Sequence, residues 1–255
     1  MIPRPLAPGR TDLTVSPIVF GAWSIGGAPF WADRDPDVSI AAIRAAVDAG
    51  VTTIDTAPLY GFGRSEEIVG RAIRGMRDRV TLATKCGWRW TGPAFKNMYK
   101  SLAPASIREE IEASLARLGT DRVDLYQVHI PDPSTPIPET MRTLEALRQE
   151  GKIGAIGVSN YTADQLDQAL AVAPVVSMQP EYNMLSRDIE ATLKPACVER
   201  NVGIIAYSPL ASGALTGKYG RDTTFNDWRA GGKFGVFRPD VWPTVSQRID
   251  RLKQL

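Results

Sequence analysis

Seven short apolar runs punctuate the chain, at residues 18–23, 51–54, 80–84, 123–128, 153–158, 175–178 and 202–206. Between them apolar residues recur every three or four positions, the period of a helix with one buried face. Ile107, Ile111, Leu115 and Leu118 form the clearest stripe. The spacing predicts helices over 37–49, 65–73, 104–118, 138–149, 163–172 and 189–199, with a last one over 243–255. Gly50 and Gly151 stand where two of these should stop. Residues 4–15 hold turn residues at Pro8-Gly9 between short runs and predict an N-terminal β-hairpin.

Strands that are apolar throughout, each followed by a helix, describe a parallel sheet covered by helices. An open doubly wound sheet would carry a glycine fingerprint at its first strand-to-helix turn. Gly26-Gly27 lacks that spacing, and Gly61-Phe62-Gly63 is followed by Glu66 where the third glycine would stand. The fold class that fits better is α/β, a closed (β/α)8 TIM barrel in one domain over residues 1–255. An eighth strand is not legible. Either this chain lacks the last βα unit, or the sheet closes in some other way. Two segments break the rhythm: residues 88–100, a long aromatic loop, and 211–241, a run of about 30 residues without pattern. Loops of such length are commonly lids or binding loops.

Composition narrows the function classes. Hydrophobic residues make up 44% and charged residues 23%, which suits a sizeable core. Thirty basic residues against 28 acidic ones leave a charge of +2, so no basic field points to nucleic acid. Two cysteines, Cys86 and Cys197, make no disulfide framework and suit a reducing compartment. Residues 1–10 lack the apolar run of a signal peptide, and no stretch nears the roughly 20 residues of a membrane helix. These features predict a cytoplasmic protein with neither nucleic acid nor membrane as partner.

In such a barrel the chemistry sits at the C-terminal ends of the strands. Those positions hold Asp55, Lys85, His129, Ser159-Asn160, Gln179 and Tyr207-Ser208, with Tyr60 on the loop after the second strand. Each has a plain structural reading: a loop-capping Asp, a snorkelling Lys, a core His, a Tyr packed at the rim. Together they make chemical sense. A lysine beside Tyr60 would favour phenolate and lower the phenol pKa, and Asp55 would neutralise and orient that lysine. The result is a proton donor for a carbonyl oxygen. A hydride is still needed, and a nicotinamide cofactor is what supplies one. His129 is the only histidine, which argues against a histidine-based metal site. Gly213 to Lys218 departs from the triphosphate-loop spacing. Cys86 reads as a buried inert thiol, with a redox-sensitive one as the alternative.

Asp55, Tyr60, Lys85 and His129, in that order, resemble the catalytic tetrad of the aldo-keto reductases. The phrases GVTTIDTAPLYG, SIREEIEASLARLGTDRVDLYQVH, GKIGAIGVSN, MQPEYNML and GIIAYSPLASGALTGKY are similar to that superfamily, especially its bacterial and potassium-channel β-subunit branches. The resemblance implies reduction of an aldehyde or ketone by NADPH, with NADH possible. It makes Tyr60 the acid, Lys85 and Asp55 its tuning pair, and His129 the group that orients the carbonyl. It places Ser159, Asn160 and Gln179 at the carboxamide, Tyr207 on the nicotinamide ring, and Ser208, Leu210, Ser212 and Lys218 along the pyrophosphate. Gly21, Ala22 and Trp23 would line the pocket beneath, and Trp23 and Trp88 would shape the substrate side. The family segment that grips the adenosine end has no counterpart among these residues, so NADPH rests on the family alone. A barrel that senses cofactor with little turnover is the alternative.

Overall fold

Each apolar run is followed by a connection that carries the chain back to the same end, so successive runs enter the sheet in one direction. The computed structural model describes residues 4–5, 11–230 and 235–254. Its strands are β1 (Arg4–Pro5), β2 (Thr14–Val15), β3 (Val19–Gly21), β4 (Thr53–Asp55), β5 (Thr81–Cys86), β6 (Trp88–Trp90), β7 (Met98–Lys100), β8 (Val123–Val128), β9 (Ile153–Ser159), β10 (Val175–Gln179) and β11 (Gly203–Ile204). Seven of them form one parallel sheet in the order β11-β10-β9-β8-β5-β4-β3. The helices are α1 (Pro36–Asp48), α2 (Arg64–Ile73), α3 (Pro104–Leu118), α4 (Ile137–Gln149), α5 (Ala163–Leu170), α6 (Leu193–Glu199) and α7 (Trp242–Leu252). Their starts follow local chemistry. Asp35 Oδ1 accepts the Asp37 amide ahead of Pro36, and Thr162 with Gln165 forms a capping box ahead of α5.

Alternation along the strands separates two layers. Leu82 and Cys86, Tyr126 and Val128, and Ile156 and Val158 face the helices and join one large core with Ile107, Ile111 and Leu118. Burying each of those isoleucines and leucines contributes about 1.5–3 kcal/mol. Ala83, Leu125, Ala155, Val176 and Ile205 face the other way and form a small inner core. Val19 of edge strand β3 packs on the same inner core as Ile205, which follows edge strand β11. The sheet therefore curls, with β3 and β11 as its two edges. Asp55 lies in register with Ala83, and one inward step further along β5 and β8 stand Lys85 and Gln127, in register with each other.

Three expectations change. The 88–100 loop contains an antiparallel pair, β6 with β7 (Trp88 opposite Lys100, Trp90 opposite Met98). The 211–241 stretch is not patternless. Ala211, Ala214 and Phe237 pack against Trp242, Val245 and Ile249 of α7 as a third cluster. Arg229 ties this stretch together, donating to Ser212 O at 3.2 Å and to Tyr219 Oη at 3.0 Å. The helix expected over 189–199 is a 3-10 turn (Asp188–Glu190) followed by α6. At the N-terminus, β1 and β2 pair antiparallel, while the turn expected at Pro8-Gly9 lies outside the described residues.

Behind the sheet, Glu110 of α3 is 4% exposed and takes the Gly87 amide on both carboxylate oxygens. Burial, opposed by that hydrogen bond, pushes its carboxyl from 4.5 up to about 8. A group raised on folding stabilises fully below its unfolded pKa and loses that contribution as pH rises through the folded value. Stability is therefore expected to fall between about pH 5 and 8, by an amount on the order of a few kcal/mol. Glu110→Gln should flatten that fall, read by urea unfolding at a series of pH values.

Candidate active site

Residue Asp55 closes β4, so its carboxylate emerges on the inner face just where the strand ends. The chain then turns through residues 56–63 into α2. Ser65 fastens this turn, donating to Ala22 O at 2.8 Å and sharing a 2.8 Å hydrogen bond with Thr56 Oγ1. The turn presses on the segment after β3. A Cβ at Gly61 would lie 2.1 Å from Gly26 O, and Gly61 has φ of +64°. That contact fixes the height of Tyr60. Gly61→Ala is expected to cost about 1–3 kcal/mol and to displace Tyr60, measured as a lower urea midpoint together with lost activity.

Lys85 sits at the centre. It is fully buried, not a snorkelling surface residue, because its inward strand position points it beneath the turn. Its three ammonium donors reach Asp55 Oδ1, Thr56 O at 2.9 Å and Tyr60 Oη at 3.1 Å. Burial works against the Lys85 charge, but Asp55 and Tyr60 outweigh it and the net shift is upward. Tyr60 also departs from expectation. Burial raises its phenol pKa, and the opposing pull of Lys85 does not overcome it. The hydroxyl thus keeps its proton at neutral pH. His129 follows β8, with its ring 5.8 Å from that of Tyr60 and perpendicular to it. Burial and then the Lys85 charge push His129 well below its ordinary pKa, so the imidazole is neutral.

Asp55, Tyr60 and His129 line a cavity of about 950 Å³ that runs from β3 to the segment after β11, with Lys85 buried behind them. Gly21, Trp23, Trp88, Ser159, Asn160, Gln179, Tyr207, Ser208 and Ser212 line it. Three expected residues do not. Ala22 is fully buried, and Leu210 and Lys218 stand exposed away from the lining. Trp23, Phe30 and Trp228 form an aromatic wall beside Tyr60, with Trp228 5.3 Å from Trp23. Phe30 and Trp228 were missed because tertiary packing alone brings them together, through the Trp228 amide bonded to Phe30 O and the ring contacts of Trp228 with Trp23 and Trp31. Gln127 was missed too. It donates to Asp55 Oδ2 at 3.0 Å from the inner face of β8, and the signal for it was alternation: Leu125 and Gln127 share one face. Cys86 faces outward, 1% exposed, with its thiol pushed up by burial, which suits an inert thiol.

Residues 17–255 match the family model described as the aldo/keto reductase family. The chain belongs to this family. It is 46% identical over 217 residues to aldo-keto reductase YhdN of Bacillus subtilis, covering 84% of this chain and 64% of that protein. It is 43% identical over 226 residues to an NADH-specific methylglyoxal reductase of Escherichia coli, covering 84% of this chain and 69% of that protein. The chain thus spans about two thirds of the length of these relatives. Among solved structures it resembles a glycerol dehydrogenase from Gluconobacter oxydans, with TM-score 0.86 and 42% identity over 97% of this chain and 76% of that one.

The lining suits a nicotinamide dinucleotide on two observations. Gln179 commits its amide nitrogen to Asp55 Oδ2 at 2.9 Å and Gln127 Oε1 at 3.4 Å, which leaves its carbonyl oxygen as an acceptor for an amide N–H. Ser208, Ala211, Ser212 and Gly213 all have positive φ, and the first three line the cavity. Three of these are not glycine, and strain of that kind gathers at ligand sites. Among the described residues, no group of three or more His, Cys, Asp or Glu is placed to hold a metal, and no helix is long and apolar enough to cross a membrane.

Proposed function

We propose that this chain is a carbonyl reductase that converts an aldehyde or ketone to an alcohol with NADPH or NADH. The observation that carries this reading is Lys85, buried, bonded at once to Asp55 and to the Tyr60 hydroxyl at the floor of an open cavity. We further propose that residues 1–255 form one domain, a (β/α)8 barrel to which they contribute seven strands, with the last strand position lying between β11 and β3.

A nicotinamide cofactor held in this cavity would supply the hydride that the reduction needs. Tyr60 gives its proton to the carbonyl oxygen as charge builds there. Because its phenol is raised, the proton stays in place until that charge appears. The phenolate left behind faces the Lys85 ammonium at 3.1 Å, and Asp55 keeps that ammonium charged. Neutral His129 donates a ring N–H to the same substrate oxygen and orients it. Ser159, Asn160 and Gln179 would hold the cofactor's carboxamide, and Tyr207, tied to Asn160 Oδ1 at 3.1 Å, would pack on its ring. Ser208 and Ser212, which line the same cavity, would hold its pyrophosphate. The aromatic wall suits a small flat or apolar carbonyl compound.

The test is direct. Purified protein with NADPH or NADH and 4-nitrobenzaldehyde should lose reduced-cofactor absorbance only when protein and aldehyde are both present. Tight cofactor binding without reduction of any member of an aldehyde and ketone panel would sink the reading in favour of a cofactor-sensing barrel.

A further inference from the structure

Asp55 divides its two oxygens. Oδ1 faces Lys85, and Oδ2 accepts from two carboxamides, Gln127 Nε2 at 3.0 Å and Gln179 Nε2 at 2.9 Å. A carboxylate only accepts, so both amides must present nitrogen to it. Gln127 in turn accepts from Gln179 through Oε1 at 3.4 Å, which closes a three-membered ring of side chains. Gln127 is fully buried and absent from the cavity lining. It touches neither the phenol nor the space where substrate would lie, yet it occupies an inward position on β8 in register with Lys85.

We propose that Gln127 is a positioning residue for proton transfer at Tyr60, acting through Asp55 and Lys85. The proposal rests on the reading of Tyr60 as the acid. Hydrogen bonds on Oδ2 draw carboxylate charge away from Oδ1 and hold the group at a fixed angle. Asp55 then grips Lys85 less closely, and more of the ammonium field acts on the phenol oxygen. With Gln127 removed, Oδ2 loses one of its two donors, Asp55 binds Lys85 more tightly, and the phenolate is less stabilised. The charged and titratable groups facing Tyr60 are Lys85 from β5, Asp55 from β4, His129 after β8 and Tyr207 after β11. Of these, Gln127 hydrogen-bonds only Asp55, so its influence on the phenol must pass through that carboxylate.

The experiment uses full-length protein carrying 3,5-difluorotyrosine, whose more acidic phenol brings the titration into a range where the fold persists. Fluorine NMR of the cofactor-free protein, with the Tyr60 resonance assigned by Tyr60→Phe, reads the phenol directly and needs no turnover. In Gln127→Leu the Tyr60 midpoint should rise by about half to one pH unit. The basic limb of kcat/KM for aldehyde reduction should move up with it, with cofactor affinity unchanged within about twofold. Gln127→Met, closer in shape to glutamine, gives the same reading should the leucine variant fold poorly. A Tyr60 midpoint that does not move in a folded variant would overturn the proposal. So would a shifted midpoint with an unmoved kinetic limb. Should Tyr60→Phe keep full turnover, the acid assignment falls, whereas the NMR titration still reports whether Gln127 reaches the phenol.

Discussion

Replacing Tyr60 by phenylalanine is expected to lower kcat for aldehyde reduction by about 10²–10⁴-fold, the range of general acid catalysis, with cofactor affinity unchanged. The substitution deletes one oxygen and leaves the ring. Its contacts with Trp23 at 6.3 Å and His129 at 5.8 Å do not involve that oxygen, so the cavity wall keeps its shape. Lys85 retains Asp55 and Thr56 O as acceptors, so the ammonium is not orphaned. What disappears is the one proton placed to meet an oxygen on which charge develops. Steady-state kinetics with a cofactor-binding titration checks both halves. A small change in kcat would point to His129 or solvent as the proton source.

The second large effect falls on stability. Lys85→Met removes a fully buried ammonium and leaves the Asp55 carboxylate, whose side chain is 11% exposed, with two neutral donors and no counter-charge. Breaking a buried pair from one side costs about 3–5 kcal/mol. Adding Asp55→Asn to Lys85→Met removes the uncompensated charge, and a large part of that loss should return. Urea unfolding of the two single variants and the double variant is expected to give a strongly non-additive cycle. Additive losses would mean that the two charges are held independently.

Much of this was legible in the chain because periodicity reports burial. Runs such as 123–128 and 153–158 carry apolar residues on both faces, as a strand between a helix layer and an inner core does, and they became β8 and β9. Asp55 stood out because a carboxylate ends a core strand. Lys85 was harder to read. The apolar run at 80–84 ends before it, whereas β5 continues to Cys86 and turns Lys85 inward on the face of Ala83. Gln127 stayed hidden inside a run that reads as apolar overall. Only the register of β5 with β8 sets it beside Lys85. The direction of the Tyr60 shift was beyond reach for a different reason: it balances burial against one charge, and burial is a property of the folded cavity. The 211–241 stretch carried no period because its order comes from contacts with Phe30, Ser212 and α7, all distant in sequence or dependent on tertiary packing.

The central claim is that Tyr60 and Lys85 act as one proton-transfer unit. The measurement that bears on it most directly is kcat for Tyr60→Phe, Lys85→Met and the double variant with one aldehyde at saturating cofactor. Residues that work as a unit lose their effect together. The double variant should therefore be no slower, within a few-fold, than the slower single one. A double variant slowed by the product of the two single losses would contradict the account.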